Sequence, residues 1–235
     1  MKEKLSIKVM IIKIFNLLVL SMITLSVNAT VPKGPEGKPD LNGVWQVLNT
    51  ANYNLEAHGA SAALAMIEGP VVPIPHPSVV ALGAVGSVPA GLGVVEGGTI
   101  PYKRWALKRR AENQKNWLDR DPEIKCYLPG VPRATYMHLP FQIFHSEKAI
   151  FFAYEYAGAV RNIYLEDPGQ APVDSWMGQS WGYWEGDTFV IEVTGFNGQT
   201  WLDRSGNFHS DQLKVVEKYT VINDHTMNYE ATLQD

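Results

Sequence analysis

The stretch Ala149-Ile150-Phe151-Phe152-Ala153-Tyr154-Glu155-Tyr156-Ala157-Gly158-Ala159-Val160-Arg161-Asn162-Ile163-Tyr164-Leu165 decides the fold. Two runs rich in aromatic and β-branched residues flank Ala157-Gly158, and side chains of a strand alternate between two faces. Glycine supplies the positive φ that a tight hairpin needs. A two-residue loop there pairs Tyr156 with Ala159 and sets Tyr154 opposite Arg161. One face then carries Ile150, Phe152, Tyr154, Tyr156, Arg161, Ile163 and Leu165. That face is apolar apart from one arginine and two phenols.

The same period continues on both sides. Residues 141–144, 181–184, 188–194, 213–222 and 226–233 read as further strands, and Gly186-Asp187 is a second hairpin turn. Ahead of them, residues 41–47 read as a first strand. Residues 56–98, rich in Ala, Gly, Val and Pro, read as loop with a short helix over 60–67. Residues 105–120 read as one helix, with Leu107, Ala111, Gln114 and Leu118 on a single stripe before Asp121-Pro122 turns the chain. Strands joined by short turns give a mainly β chain. The expected architecture is an antiparallel meander forming an up-and-down barrel or a strongly curved sheet, with one helix before the main strands.

The start of the chain belongs to another process. Lys2, Lys4 and Lys8 precede an apolar run over 14–25, and Val27-Asn28-Ala29 suits a signal peptidase, so residues 1–29 read as a signal peptide. The apolar run is too short to span a bilayer comfortably, which argues against stable membrane insertion after cleavage. Residues 30–235 are then a single β-rich domain in an extracytoplasmic compartment, periplasmic or extracellular. Loss of four Lys and one Glu takes the formal charge from -4 to -7. An acidic chain does not suit nucleic acid as a main partner. The lone cysteine, Cys126, excludes an intrachain disulfide, a Cys-based zinc cluster and a CxxC centre, and is expected as a small buried apolar residue.

Polar residues on apolar faces mark the candidate site. Arg161 must find an acceptor, either a ligand carboxylate or phosphate or an internal acid. Glu217 shares its strand face with Leu213, Val215, Tyr219 and Val221; it is either the partner of Arg161 or a general acid/base with a raised pKa. The long loop over 194–211 concentrates Asp203, His209, Ser210 and Asp211, so His209 is a candidate base oriented by Asp203 and Asp211. Tyr154, Tyr156, Trp201, Arg133 and His138 join Arg161 as expected ligand contacts around a barrel mouth. The basic run Lys103, Arg104, Lys108, Arg109 and Arg110 reads as an anion or membrane-surface contact or as a solvated helix face. No nucleophile elbow, phosphate loop, dinucleotide fingerprint or HExxH occurs, and the loop spacing matches no standard metal site, so neither cofactor nor metal is expected.

Several motifs carry a resemblance. They are Trp184-Glu185-Gly186-Asp187-Thr188, Thr194-Gly195-Phe196-Asn197, Thr200-Trp201-Leu202-Asp203, Pro129-Gly130-Val131-Pro132-Arg133 and His209-Ser210. Through them the chain resembles a family of exported bacterial proteins with no assigned activity. The resemblance implies export, a chain truncated after Asp235, and an insertion over 67–91. Gly43-Val44-Trp45 is similar to the Gly-x-Trp signature that opens lipocalin barrels. Two functions follow as expectations. The first is an extracytoplasmic lipocalin-like barrel holding a small molecule. The second is an acid/base enzyme on the same barrel, of lyase, hydratase or isomerase class, using His209, Glu217 and Asp203.

Overall fold

The computed structural model describes residues 31–61, 63–67, 74–79 and 88–235, so the expected signal peptide lies outside the described residues. The strands are β1 (Gly43–Trp45), β2 (Ala63–Ile67), β3 (Ile74–Val79), β4 (Phe141–His145), β5 (Ile150–Tyr154), β6 (Val160–Tyr164), β7 (Gln179–Glu185), β8 (Thr188–Thr194), β9 (Lys214–Asn223) and β10 (Thr226–Gln234). The helices are α1 (Arg104–Lys115), α2 (Trp117–Arg120) and α3 (Arg133–Tyr136).

Eight strands form one sheet in the order β1-β4-β5-β6-β7-β8-β9-β10. The sheet is a mainly antiparallel meander, curled strongly into a half-barrel. Its edges are β1 and β10, which do not pair with each other. The one departure from the antiparallel expectation is β6 with β7, which run parallel. The chain covers residues 165–178 between them, and that long connection re-enters the sheet in the same direction where a hairpin would have reversed it.

The deciding hairpin folds with its faces as read and its register shifted. Phe152, not Tyr154, stands opposite Arg161, because the turn takes up Glu155 and Tyr156 as well. A two-residue shift leaves every side chain on its own face, since the side-chain period is two. Ile150, Phe152, Tyr154, Arg161 and Ile163 are accordingly all buried. Gly186-Asp187 forms the tight turn between Glu185 and Thr188 as expected. On β9, Val215, Glu217, Tyr219 and Val221 point inward while Lys214 and Lys218 face solvent. These faces join Phe189, Ile191, Val193 and Leu213 in one core. Each large apolar side chain so buried stabilises the fold by roughly 1.5–3 kcal/mol.

Three local expectations change. Residues 63–67 form a strand paired with β3, not a helix. The helix over 105–120 is interrupted at Asn116, whose φ of -114° and ψ of 32° leave the helical region. Its buried side is also different: Ala106 and Asn113 pack inward, whereas Leu107 and Leu118 are 48% and 49% exposed. The docking surface explains this. Gly206 lies directly against α1, where a Cβ would come within 2.7 Å of Gln114 N and 2.8 Å of Arg110 O, while Asn113 Nδ2 donates to Gly206 O. A close polar approach, more than an apolar stripe, therefore selects the face. Cys126 is exposed, not buried, and caps the turn after residues 122–125 at a left-handed φ of 57°. Among the described residues, no helix is long and apolar enough to cross a membrane.

Candidate functional site

Arg161 and Glu217 meet in the core, and both are almost fully buried. Arg161 Nη2 donates to Glu217 Oε2, and its Nε donates to Ser180 Oγ at 2.7 Å. Glu217 Oε1 accepts from the hydroxyls of Tyr219 at 3.0 Å and Tyr229 at 2.8 Å. Burial alone would lower the Arg161 pKa; the adjacent Glu217 carboxylate, together with Tyr154 and Tyr219, more than offsets it and holds the guanidinium charged. Glu217 is thus the internal partner of Arg161, with its oxygens engaged, and is not a free acid/base. The Tyr154 hydroxyl and Arg161 Nη1 are buried without a hydrogen-bond partner among the described residues. Burial also raises the Tyr154 pKa, so the phenol stays protonated.

A second network absorbs Arg133. Its guanidinium donates to Asn52 Oδ1 at 3.0 Å, to Asp121 Oδ1 at 3.0 Å and to Glu123 Oε2 at 2.5 Å. Arg204 holds the same Glu123 from the other side, with Nε at 2.8 Å and Nη2 at 2.5 Å. Burial would raise the Glu123 pKa, but Arg204 and Arg133 together bring it below the ordinary carboxylate value. Tyr156 donates its hydroxyl to the Glu123 carbonyl at 3.0 Å. His138 is exposed, and its carbonyl accepts from Gln46 Nε2. These three expected ligand contacts do not gather around Arg161 and Tyr154.

The long loop separates the residues expected to act together. Asp203 is fully buried and accepts from Leu55 N at 2.8 Å, Ser205 N at 2.9 Å and Asn207 Nδ2 at 2.6 Å. It builds the turn and ties it to the 50s segment, while Asp211 is exposed. Neither orients His209. His209 Nδ1 lies 2.7 Å from the Ser210 carbonyl, which only accepts, so Nδ1 carries the proton. Nε2 is then the acceptor, and Thr200 Oγ1 donates to it at 2.5 Å. Burial lowers the His209 pKa, keeping the ring neutral. A hydroxyl hydrogen-bonded to a neutral imidazole whose other nitrogen is fixed by a carbonyl is an arrangement able to move a proton. Among the described residues no three His, Cys, Asp or Glu side chains converge as a metal site.

Thr200 lines a cleft of about 470 Å³ between the helical segments and this loop. Its aromatic walls are Tyr127, Trp176, Trp201 and Phe208, and its charged groups are Arg109, Arg120, Lys125 and Asp119. Tyr127 and Trp176 pack with ring centroids 5.2 Å apart, and the Arg109 guanidinium lies 4.3 Å from the Phe208 centroid. Trp201, expected as a ligand contact, belongs to this cleft. Of the basic helix, Arg109 reaches it, whereas Arg110 pairs with Glu56 at 2.7 Å. Arg120, Lys125, Tyr127 and Trp176 carried no local signal; only folding brings them together. A larger groove of about 620 Å³ runs beside β10, with walls including Leu55, Val94, Ile100, Leu202 and Tyr229, and acids Glu96 and Glu230. The chain matches no family model, no curated protein and no solved structure.

Proposed function

We propose that the protein is an extracytoplasmic small-molecule-binding protein whose site is the cleft between α1, α2 and the loop over 198–208. The curled, barrel-like sheet fits a binding-barrel architecture and serves here as the rigid support of that cleft. One observation carries the reading: four aromatic rings and three cations converge on a cavity of ligand size. The interior of the half-barrel is a poorer site, since Arg161 and Glu217 neutralise each other there. Export rests on the basic start, the apolar run and Val27-Asn28-Ala29.

A small-molecule thermal-shift screen on protein recovered from the periplasm or medium tests both parts. The expected result is an N-terminus at Thr30 and a saturable stabilisation by hits that Trp201→Ala abolishes. Retention of the N-terminal segment inside the cell would remove the export reading. Hits unaffected by Trp201→Ala would remove the cleft.

A second reading, an acid/base enzyme, is favoured by the Thr200–His209 hydrogen bond at the cleft wall. It excludes Glu217 and Asp203, which are held in internal bonds. Hits recovered chemically changed, with turnover lost in His209→Ala, would replace binding by catalysis of lyase, hydratase or isomerase type. Hits recovered unchanged leave binding in place.

A further inference from the structure

We infer that the cleft selects flat anions, with a planar apolar body against its aromatic walls and a carboxylate or similar oxyanion held by Arg109, Arg120 and Lys125. The inference rests on the cleft being the ligand site and adds its chemical class.

Availability of charge is the first argument. Four arginines outside the cleft are consumed, Arg110 by Glu56, Arg133 by Asp121, Arg161 by Glu217 and Arg204 by Glu123, while Arg104 is exposed on α1 away from the lining. Among the described residues Arg109 and Lys125 have no ion pair, and the one ion pair of Arg120 is a 3.9 Å contact with the half-exposed Glu112, beside a long 3.5 Å bond to Asn113 Oδ1. A pair of that length and exposure contributes little and yields readily to a better-placed carboxylate. Among the described residues Asp119 is the single acid in the lining, so the cleft is locally positive in a chain of net charge -4. A concave surface of one sign concentrates ligands of the other.

Shape is the second argument. Arginine presents a planar fork that matches a carboxylate with two parallel N–H···O bonds. Arg109 already lies over the Phe208 ring, which stacks on Tyr102 with centroids 5.7 Å apart. The guanidinium is thereby held at the rim by a ring, not by a competing acid. Tyr127 and Trp176 offer flat apolar surface, backed by the buried Trp201, which favours an aromatic body over a flexible aliphatic one. A membrane surface would meet the same cations, but it would not use a recessed cleft whose Trp201 is buried.

Isothermal titration of the full chain with 2-naphthoate, neutral 2-naphthamide and cationic 2-naphthamidine tests the inference, alongside co-sedimentation with vesicles of one part phosphatidylglycerol to three of phosphatidylcholine. The expected result is 2-naphthoate binding about tenfold or more tighter than 2-naphthamide, with the difference shrinking as salt rises. The double variant Arg109→Gln/Arg120→Gln, altered only at exposed positions, should remove that difference while leaving 2-naphthamide affinity within about twofold. Lys148→Gln, remote from the cleft lining, should change neither. Equal affinity for naphthoate and naphthamide overturns anion selection and leaves the binding reading standing. No binding of naphthoate overturns the inference, and no hit of any charge in the wider screen removes the binding reading as well. Vesicle binding that needs Arg109 and Arg120, without naphthoate binding, replaces it with a membrane surface.

Discussion

Glu217 carries four obligations at once: it neutralises Arg161 and accepts from Tyr219, Tyr229 and, at longer range, Thr135. Removing it strands a buried guanidinium, so Glu217→Ala should lose about 3–5 kcal/mol in urea unfolding. The double variant Arg161→Met/Glu217→Met should lose less than the sum of the two single variants, because neither charge is left alone. Equal additivity would show that the pair does not couple. His209 gives the pH dependence. Burial lowers its pKa from the ordinary 6.5, against smaller opposing effects of the Ser210 carbonyl and Asp235. The unfolded ring takes up a proton below about pH 6.5, whereas the folded ring resists until a lower pH. Its contribution to stability is therefore complete above the unfolded value and is lost as pH falls toward the depressed folded value. Thermal melts between pH 7.5 and 5 should fall less steeply for His209→Gln than for the parent. His145, also lowered by burial, should leave part of the slope in the variant.

The helix α1 shows what an element owes to its neighbour. Its moderate sequence stripe through Leu107 and Leu118 stays in solvent, and its docking depends on Gly206 at a φ of +83°. Alanine there meets Gln114 N and Arg110 O and must also hold a left-handed backbone. Gly206→Ala should therefore cost about 1–3 kcal/mol from the clash, with roughly a further 1 kcal/mol from the backbone. Hydrogen exchange should rise in 104–115 well before it rises in β8 and β9, since only the helix loses its seat. Uniform exchange across the sheet would refute that locality. The β5–β6 hairpin is the opposite case. Its turn is longer than expected by two residues, yet the faces survive, because parity of the shift, not turn length, decides which side chains are buried.

At the scale of the molecule, Glu123 ties the helical segments over 121–136 to the loop over 200–209 and, through Arg133 and Arg204, to the segment around Asn52. Arg133 and Arg204 both bind it; Arg133 also bonds to Asn52, while Arg204 N donates to Asn52 O. Glu123→Ala leaves two guanidinia without that acid and should destabilise by about 3–5 kcal/mol. Hydrogen exchange should locate the loss in the segments that the network joins, 50–56, 121–136 and 200–209, while the β7–β8–β9 ladder keeps its protection. Loss of protection in that ladder at the same denaturant concentration would mean that the two layers unfold as one. The cleft lies among these same segments, so affinity in the cleft should fall in this variant as well.

Sequence alone determined the strands after Pro140, the inward faces of β5, β6 and β9, and the two polar anomalies, Arg161 and Glu217. These are local properties: a period of two and short turns fix which side chains share a face, and a charge on an apolar face stands out in the pattern. That the anomalies cancel each other required the curl of the sheet, because β6 and β9 are not neighbours in it. The cleft was beyond the sequence for the same reason. Arg109, Arg120, Lys125, Trp176 and Trp201 come from separate helices and loops, and no spacing along the chain records which of them meet. Only tertiary packing decided that the arginine expected to bind a ligand is spent inside, and that another, unpaired one stands at a cavity.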